Sequence, residues 1–214
     1  MDIMSIMESR HSVRQYLDKS IESEKRDILN SLIKELNAEF QLNIQIFYEE
    51  PKCFKSLLAH YGKFSGVDNY ICMVGPKGKD LDEKIGYAGE KLVLKAQEIG
   101  LNTCWVASTH GKSAAVINKG EKQAIIISLG YGANQGNVHK NKENLALLSQ
   151  NDPDWYKDGV KAALLAPTAI NQQKFCITRT DENVTITAKS GPCTKIDLGI
   201  VKCHFEMASG HKVN

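Results

Sequence analysis

The longest regular hydrophobic pattern in this 214-residue chain is one amphipathic helix near its middle. Apolar residues recur at helical spacing from Leu81 to Ile99, and Gly100 follows as a helix-ending residue, so the pattern predicts a core helix. Helices and strands do not strictly alternate around it, which predicts a mixed α+β fold. Short apolar runs predict buried strands at Tyr70 to Val74, Thr103 to Val106 and Ala124 to Leu129.

Weaker patterns predict the remaining elements. The predicted helices are residues 2–9, a helix capped by Ser20 or Ser23 with its apolar face from Ile28 to Leu36, a short helix from Phe54 to His60, Asp154 to Leu165, and Thr194 to Ala208. In the last helix, the residues expected to face inward are Ile196, Ile200, Cys203 and Met207. The predicted strands are Leu42 to Tyr48 and a hairpin of Lys174 to Arg179 with Val184 to Lys189; Gly75 to Gly78 is a predicted turn.

The glycine-punctuated segment from Gly130 to Asn137 is the best candidate for a seam between two halves. We expect the halves to be residues 1–137 and 138–214, packed as one globular unit. A weak internal repeat supports them, because each half reads as helix, strand and second helix. Any two amphipathic helices match about as well, so coincidence explains the repeat equally well at this stage.

Charge and hydropathy exclude several classes of protein. The 27 basic and 25 acidic residues leave a formal charge of +2, which gives no extended field to attract nucleic acid or a membrane surface. No stretch approaches the roughly 18 to 20 apolar residues that a bilayer span needs. The N-terminal residues lack the basic and apolar run of a secretion signal. These observations predict a cytoplasmic protein.

The six cysteines are widely spaced, with no C-x-x-C pair and no histidine at zinc-ligand spacing. Thiols scattered through apolar segments are usually small core residues in a reducing compartment. We therefore expect a packing role and no metal site.

Two arginines and a hydroxyl stand close together after the first predicted helix, in the segment Arg10-His11-Ser12-Val13-Arg14. Arginine offers paired donors that match two phosphate oxygens, and serine adds a third donor. The segment is therefore a candidate phosphate site. The alternative is a solvated loop with two surface arginines.

A second candidate segment, Ala166 to Gln173, lies between a predicted helix end and a strand. Pro167 forbids continuation of the helix, Thr168 and the small alanines allow a flat ligand to approach the backbone, and Asn171 and Gln173 carry both donors and acceptors. This inventory suits the edge of a heteroaromatic ring. The alternative is an ordinary turn after a helix.

Together with Gly100 to Val106 and Leu129 to Gly132, these segments resemble motifs of the nitroreductase family of flavoproteins. The Arg10–Arg14 segment is similar to the family's FMN-phosphate motif, and Ala166 to Lys174 is similar to its Ala-Pro-Ser-x-x-Asn-x-Gln-Pro flavin segment. Thr168 replaces the usual serine, and Lys174 replaces the final proline. The flavin segment also lies late in this chain, whereas typical members carry it in the first third.

The family suggests an explanation for that displacement. Its usual members are homodimers in which one subunit supplies the arginines and the partner supplies the flavin segment. The resemblance therefore implies a three-layer fold with a central mixed or antiparallel sheet flanked by helices, and two pseudo-symmetric halves in one chain. We expect one FMN per chain in a monomeric pseudo-dimer, with a homodimer as the alternative.

The resemblance also implies roles for individual residues. The phosphate and ribityl end would be bound by Arg10, His11, Ser12 and Arg14, with Lys142 or Lys140 as a second phosphate partner. The backbone near flavin N5 would be that of Val106, Ala107 and Ser108. The ring would be bordered by Pro167, Thr168, Asn171 and Gln173.

The implied activity is alternating hydride transfer. NAD(P)H would reduce the flavin at N5, and a small electron-poor acceptor such as a nitroaromatic or quinone would reoxidise it; no residue is expected to act as acid, base or nucleophile. Two alternatives remain: a flavin-binding sensor or carrier with little turnover, and a cofactor-free relative.

Overall fold

The structure of the protein, a computed structural model, describes residues 2–141 and 148–214. Its helices are α1 (Ile3–Ser9), α2 (Ser23–Phe40), α3 (Leu57–Tyr61), α4 (Leu81–Glu98), α5 (Asp154–Leu165) and α6 (Thr194–Ser209). Its strands are β1 (Gln45–Phe47), β2 (Asn69–Pro76), β3 (Asn102–Val106), β4 (Glu121–Gly130), β5 (Phe175–Thr180) and β6 (Asn183–Ala188). Short 3-10 turns cover Pro51–Phe54 and Ala169–Asn171. This mixture confirms the predicted α+β class.

The described residues form two compact units. The sheet unit comprises residues 10–81 and 92–138, and the hairpin unit comprises residues 2–9, 82–91, 139–141 and 148–214. The chain passes between the units at four places, and one of them, between Val138 and His139, lies next to the predicted seam. The division into residues 1–137 and 138–214 stays a prediction. The repetition of one half by the other stays a prediction.

The sheet unit is built on a four-stranded sheet of order β1-β2-β4-β3, in which neighbouring strands are antiparallel. The central strand β2 is fully buried from Tyr70 to Val74, as its continuous apolar run predicts. On one face, Tyr70, Cys72 and Val74 join a core cluster with Phe54 and Phe64. On the other face, residues of α2 and α4 pack in a second cluster with Leu101 and Leu129.

The hairpin unit joins helices α4, α5 and α6 to the antiparallel β5–β6 hairpin. Helices α4 and α6 approach so closely that a Cβ on Gly86 would lie 2.0 Å from the Ile196 carbonyl oxygen. A Cβ on Gly199 would lie equally close, 2.0 Å, to the Glu83 carbonyl oxygen. Both positions therefore need glycine.

A fully buried histidine–glutamate pair joins three helices of this unit. The Nε2 atom of His204 on α6 lies 2.9 Å from Oε1 of Glu90 on α4. The Nδ1 atom of the same ring lies 2.9 Å from the carbonyl oxygen of Ala162 on α5. Both side chains have zero exposure, so the pair is packed away from water.

Some predicted boundaries are wrong for local reasons. Helix α2 begins at Ser23 itself, without a side-chain capping bond, and the Ser20 hydroxyl donates to Glu49 instead. Strand β1 is only Gln45–Phe47, because the Asn37 side chain bonds both the N–H and the C=O of Ile44.

Three further expectations also need correction. The predicted Phe54–His60 helix is a 3-10 turn followed by α3. The predicted turn at Gly75 is part of β2, where Gly75 and Pro76 still pair with β4. Met207 is 39% exposed, whereas the other three residues expected to face inward on α6 are buried.

The cysteines are unpaired thiols; Cys53, Cys72, Cys104 and Cys203 are buried, and Cys176 and Cys193 are half-buried. Among the described residues, no cluster of histidine, cysteine, aspartate or glutamate is arranged to hold a metal ion. No helix in this part of the chain is long and apolar enough to cross a membrane.

Candidate functional site

The predicted phosphate segment, Arg10–Arg14, lies beside β3 in the sheet unit. The Val13 N–H donates to the Thr103 carbonyl oxygen at 3.0 Å, and Ser12 forms a parallel bridge with Thr103. The segment therefore runs parallel to the start of β3, and these two contacts fix its backbone.

The glycine-rich loop after β4 holds the segment from another side. The His11 Nδ1 lies 2.9 Å from the Gln135 carbonyl oxygen, so this nitrogen carries the proton and donates. Gly136 has a φ of +70°, and a Cβ there would lie 2.8 Å from the Ser12 carbonyl oxygen. Only glycine fits both the left-handed backbone and the close approach. The predicted seam is therefore part of the support of the arginine segment.

Three of the predicted phosphate residues act on one buried group, the thiol of Cys104 on β3. Burial raises the pKa of this thiol, whereas the charge of Arg14, a hydrogen bond with Ser12 and the charge of Arg10 act to lower it. Arg10 is itself buried at 4% exposure, and Arg14 is exposed. Two guanidinium groups and a hydroxyl therefore lie near enough to act on one group; that they bind a phosphate stays a prediction.

The residues predicted to approach flavin N5 belong to the same unit. Val106 is the last residue of β3 and is buried, while Ala107 and Ser108 follow it and are exposed. Strand β3 therefore carries Cys104, beside the arginine segment, and ends next to two accessible backbone positions.

The predicted flavin segment lies in the hairpin unit, where local hydrogen bonds fold it into a compact turn. The Thr168 hydroxyl accepts from the Gln173 N–H at 3.0 Å, and the Thr168 carbonyl accepts from the Asn171 N–H at 2.9 Å. Pro167 directly precedes this turn and is half-buried. Thr168, Asn171 and Gln173 thus belong to one structure, as predicted.

The side chains of Asn171 and Gln173 contact Lys140 and His139, which also belong to the hairpin unit. The Asn171 amide donates to the Lys140 carbonyl oxygen at 2.9 Å. The Gln173 amide nitrogen lies 2.8 Å from Nε2 of His139. Lys140 is therefore anchored to the flavin segment by its backbone; Lys142 lies outside the described residues.

Backbone strain is concentrated in the same turn. Ile170, Asn171 and Gln173 have left-handed φ angles of 49°, 51° and 46°. A β-branched residue in this region is an outlier, and such strain is most common at functional sites. Ile170 is also 90% exposed, so its own burial does not offset the strain.

Sequence reasoning missed Asp197, in the first turn of α6, which bonds to this turn. Its Oδ1 accepts from the Ala169 N–H at 3.0 Å, and its Oδ2 accepts from the Gln172 side-chain amide at 2.7 Å. Burial raises the pKa of the Asp197 carboxyl to about 6, against the lowering effect of these hydrogen bonds. Nothing in the sequence marks this aspartate, which lies 25 residues after Gln172.

The predicted site residues thus fall into two groups. The sheet unit carries the arginine segment with Val106, Ala107 and Ser108, and the hairpin unit carries Lys140 and the flavin segment. Guanidinium and hydroxyl donors fit a phosphate, and an amide-rich turn fits a heteroaromatic edge, so each donor set suits its end of FMN. Convergence of the two groups on one ligand stays a prediction.

Comparison with known proteins gives a family. A family model described as “Putative TM nitroreductase” matches residues 2–209. A “putative nitroreductase” from Thermotoga maritima superposes with a TM-score of 0.71 at 24% identity, over 97% of this chain and 83% of that chain. No curated protein matches the chain significantly.

Two structures of similar fold align with about seven-tenths of the chain. A “putative nitroreductase” from Desulfovibrio desulfuricans, solved in complex with FMN, has a TM-score of 0.55 at 16% identity, over 71% of this chain and 98% of that one. An FMN-dependent nitroreductase from Clostridium difficile has a TM-score of 0.53 at 17% identity, over 70% and 99%. With the family model matching nearly the whole chain, the protein belongs to the nitroreductase family.

Proposed function

We propose that the protein is an FMN-dependent oxidoreductase that passes hydride from NAD(P)H to a small electron-poor acceptor, such as a nitroaromatic or a quinone. The observation that carries the proposal is that Arg10, Ser12 and Arg14 all act on the one buried thiol of Cys104, in a chain that belongs to this family. The FMN-bound neighbour of the same fold supports the choice of flavin.

The arginine segment would hold the phosphate. Arg10 and Arg14 supply paired N–H donors, Ser12 supplies a hydroxyl, and the support of Gly136 and Gln135 keeps the segment in place before the ligand arrives. Donors fixed in advance lose little conformational entropy on binding, which favours affinity.

The flavin segment would border the ring with Pro167, Thr168, Asn171 and Gln173. When bound, FMN supplies the hydride chemistry, so the residues of the chain are needed for binding and orientation. The exposed backbone of Ala107 and Ser108 would leave the reactive edge accessible to NAD(P)H and then to the acceptor. We propose one FMN per chain, in a cytoplasmic monomer.

The test begins with the purified full chain. We expect a flavin spectrum, one FMN per 23.8 kDa chain in solution, and steady NAD(P)H oxidation when menadione or nitrofurazone is present. Flavin binding without turnover would instead support a sensor or carrier. Failure to bind added FMN would support a cofactor-free relative.

Two matched arginine variants test the phosphate assignment. Arg14→Ala removes an exposed guanidinium from the segment, and we expect FMN binding to weaken about ten-fold or more, because a charge-assisted hydrogen bond contributes roughly 1.5 to 3 kcal/mol. Arg26→Ala is the control, because Arg26 pairs with Glu49 elsewhere in the same unit. Equal FMN affinity in both variants would contradict the assignment.

A further inference from the structure

The Asp197 carboxylate bonds to both sides of the most strained part of the hairpin unit. Its two oxygens accept from the Ala169 backbone and from the Gln172 side chain, and these residues directly flank Ile170 and Asn171. Ile170 and Asn171 are both left-handed. Such conformations persist only where the surroundings fix them, so Asp197 lies where restraint is needed.

The hydrogen-bond pattern requires two acceptors at this position. The Gln172 amide nitrogen donates both to Asp197 and to the Pro192 carbonyl, each at 2.7 Å. The amide cannot turn to present its oxygen, because that oxygen would then face the Pro192 carbonyl. A carboxylate satisfies Gln172 and Ala169 together, whereas an asparagine would place a donor against one of them.

The surroundings do not otherwise favour a negative charge. Burial raises the pKa of Asp197, and burial, followed by the charges of Asp197 and Asp82, raises the pKa of Cys193, the residue before α6. The N-terminal turn of α6 is a favourable place for an acid, but it does not offset the burial. The carboxylate is therefore ionised only against the cost of its burial, and the hydrogen bonds from Ala169 and Gln172 offset part of that cost.

We propose that Asp197 is a positioning residue that holds the turn from Thr168 to Gln173 in the conformation that meets the flavin ring. The inference rests on the proposed function. It assigns Asp197 no contact with the ligand, because it acts only through Ala169 and Gln172.

The test compares FMN affinity, measured by quenching of FMN fluorescence, in the flavin-free full chain and in Asp197→Asn. We expect the variant to bind FMN about ten-fold more weakly and to give the bound flavin a shifted absorbance spectrum. Glu206→Gln is the matched control: this carboxylate on the same helix accepts from Tyr87, Lys212 and Val213, away from the turn. Its affinity and spectrum should equal those of the wild type.

The pH profile separates positioning from simple loss of stability. The ratio of wild-type to Asp197→Asn affinity should fall towards one below pH 6, where Asp197 becomes protonated. The phosphate of FMN titrates in the same range, but its effect is common to both proteins and cancels in the ratio. If Asp197→Asn does not fold, Gln172→Met removes the same bond at nearly constant volume and should also weaken binding.

The outcomes are distinguishable. If the wild type binds FMN and Asp197→Asn binds it with the same affinity and the same spectrum, the positioning role is overturned and the proposed function still stands. A folded wild type that binds no FMN would overturn both.

Discussion

Asp197 makes a quantitative prediction about stability. Its pKa is raised from 3.8 to about 6 in the folded protein, so the folded state binds the proton more tightly than the unfolded state. The resulting stabilisation is complete below the unfolded pKa and is lost as the pH rises through the folded pKa. A shift of roughly 2 pKa units corresponds to about 3 kcal/mol in total.

The perturbation is Asp197→Asn, which removes the titrating group and nearly preserves its volume. We expect the free energy of unfolding of the variant, minus that of the wild type, to rise by about 2 kcal/mol between about pH 4.5 and 7.5, the part of the shift that this window covers. Carboxylates with lowered pKa values, such as Glu49 beside Arg26, give the opposite slope in each protein and cancel in the difference.

Urea denaturation followed by circular dichroism, at half-unit pH steps, measures that difference. Similar m-values in the two proteins would show that the same surface is exposed on unfolding. A difference that stays flat with pH, or that falls as the pH rises, would refute the argument that burial outweighs the hydrogen bonds to Asp197.

Three further substitutions test close contacts in the two units. Gly136→Ala should lower the free energy of unfolding by about 1 to 3 kcal/mol and weaken FMN binding. The control is Gly120→Ala: Gly120 is also left-handed, but nothing lies within 4 Å of the new Cβ, so this variant should lose less stability and bind FMN unchanged. Equal losses of stability in thermal melts would contradict the steric argument. Gly199→Ala should destabilise by about 3 kcal/mol or more, because its Cβ would clash with the Glu83 backbone; a melting temperature near that of the wild type would disprove the close helix crossing. His204→Leu should cost about 3 to 5 kcal/mol in urea denaturation, because it removes the Nε2 partner of the buried Glu90 carboxyl, and a cost below 1 kcal/mol would contradict it.

The sequence predicts the parts of the fold that depend on local periodicity. Helix α5 has the predicted bounds, Asp154–Leu165, because an apolar face of period 3.6 and a following proline define it. Strand β1 is shorter than predicted because a side chain from α2 takes the backbone groups of Ile44, a non-local effect that alternation cannot reveal.

The candidate site shows the same limit. The arginine segment is recognisable because its donors are neighbours in the chain. The action of those donors on Cys104 depends on the parallel pairing of Ser12 with Thr103 of β3, some 90 positions later in the chain. The restraint of the flavin segment by Asp197 depends on α6, which is also distant in the sequence. Neither produces a local pattern of residue types.

The hydrogen bonds of His204 have a consequence for how the hairpin unit assembles. The contact with the Ala162 carbonyl needs a proton on Nδ1, and the contact with Glu90 needs a second proton between Nε2 and the carboxylate. The two side chains therefore enter the interior with no net charge, whichever atom holds that second proton. Helices α4 and α5 each bring one polar group to the same ring on α6, so both ring nitrogens of His204 find their partners in the interior only when α4 and α5 are both packed against α6.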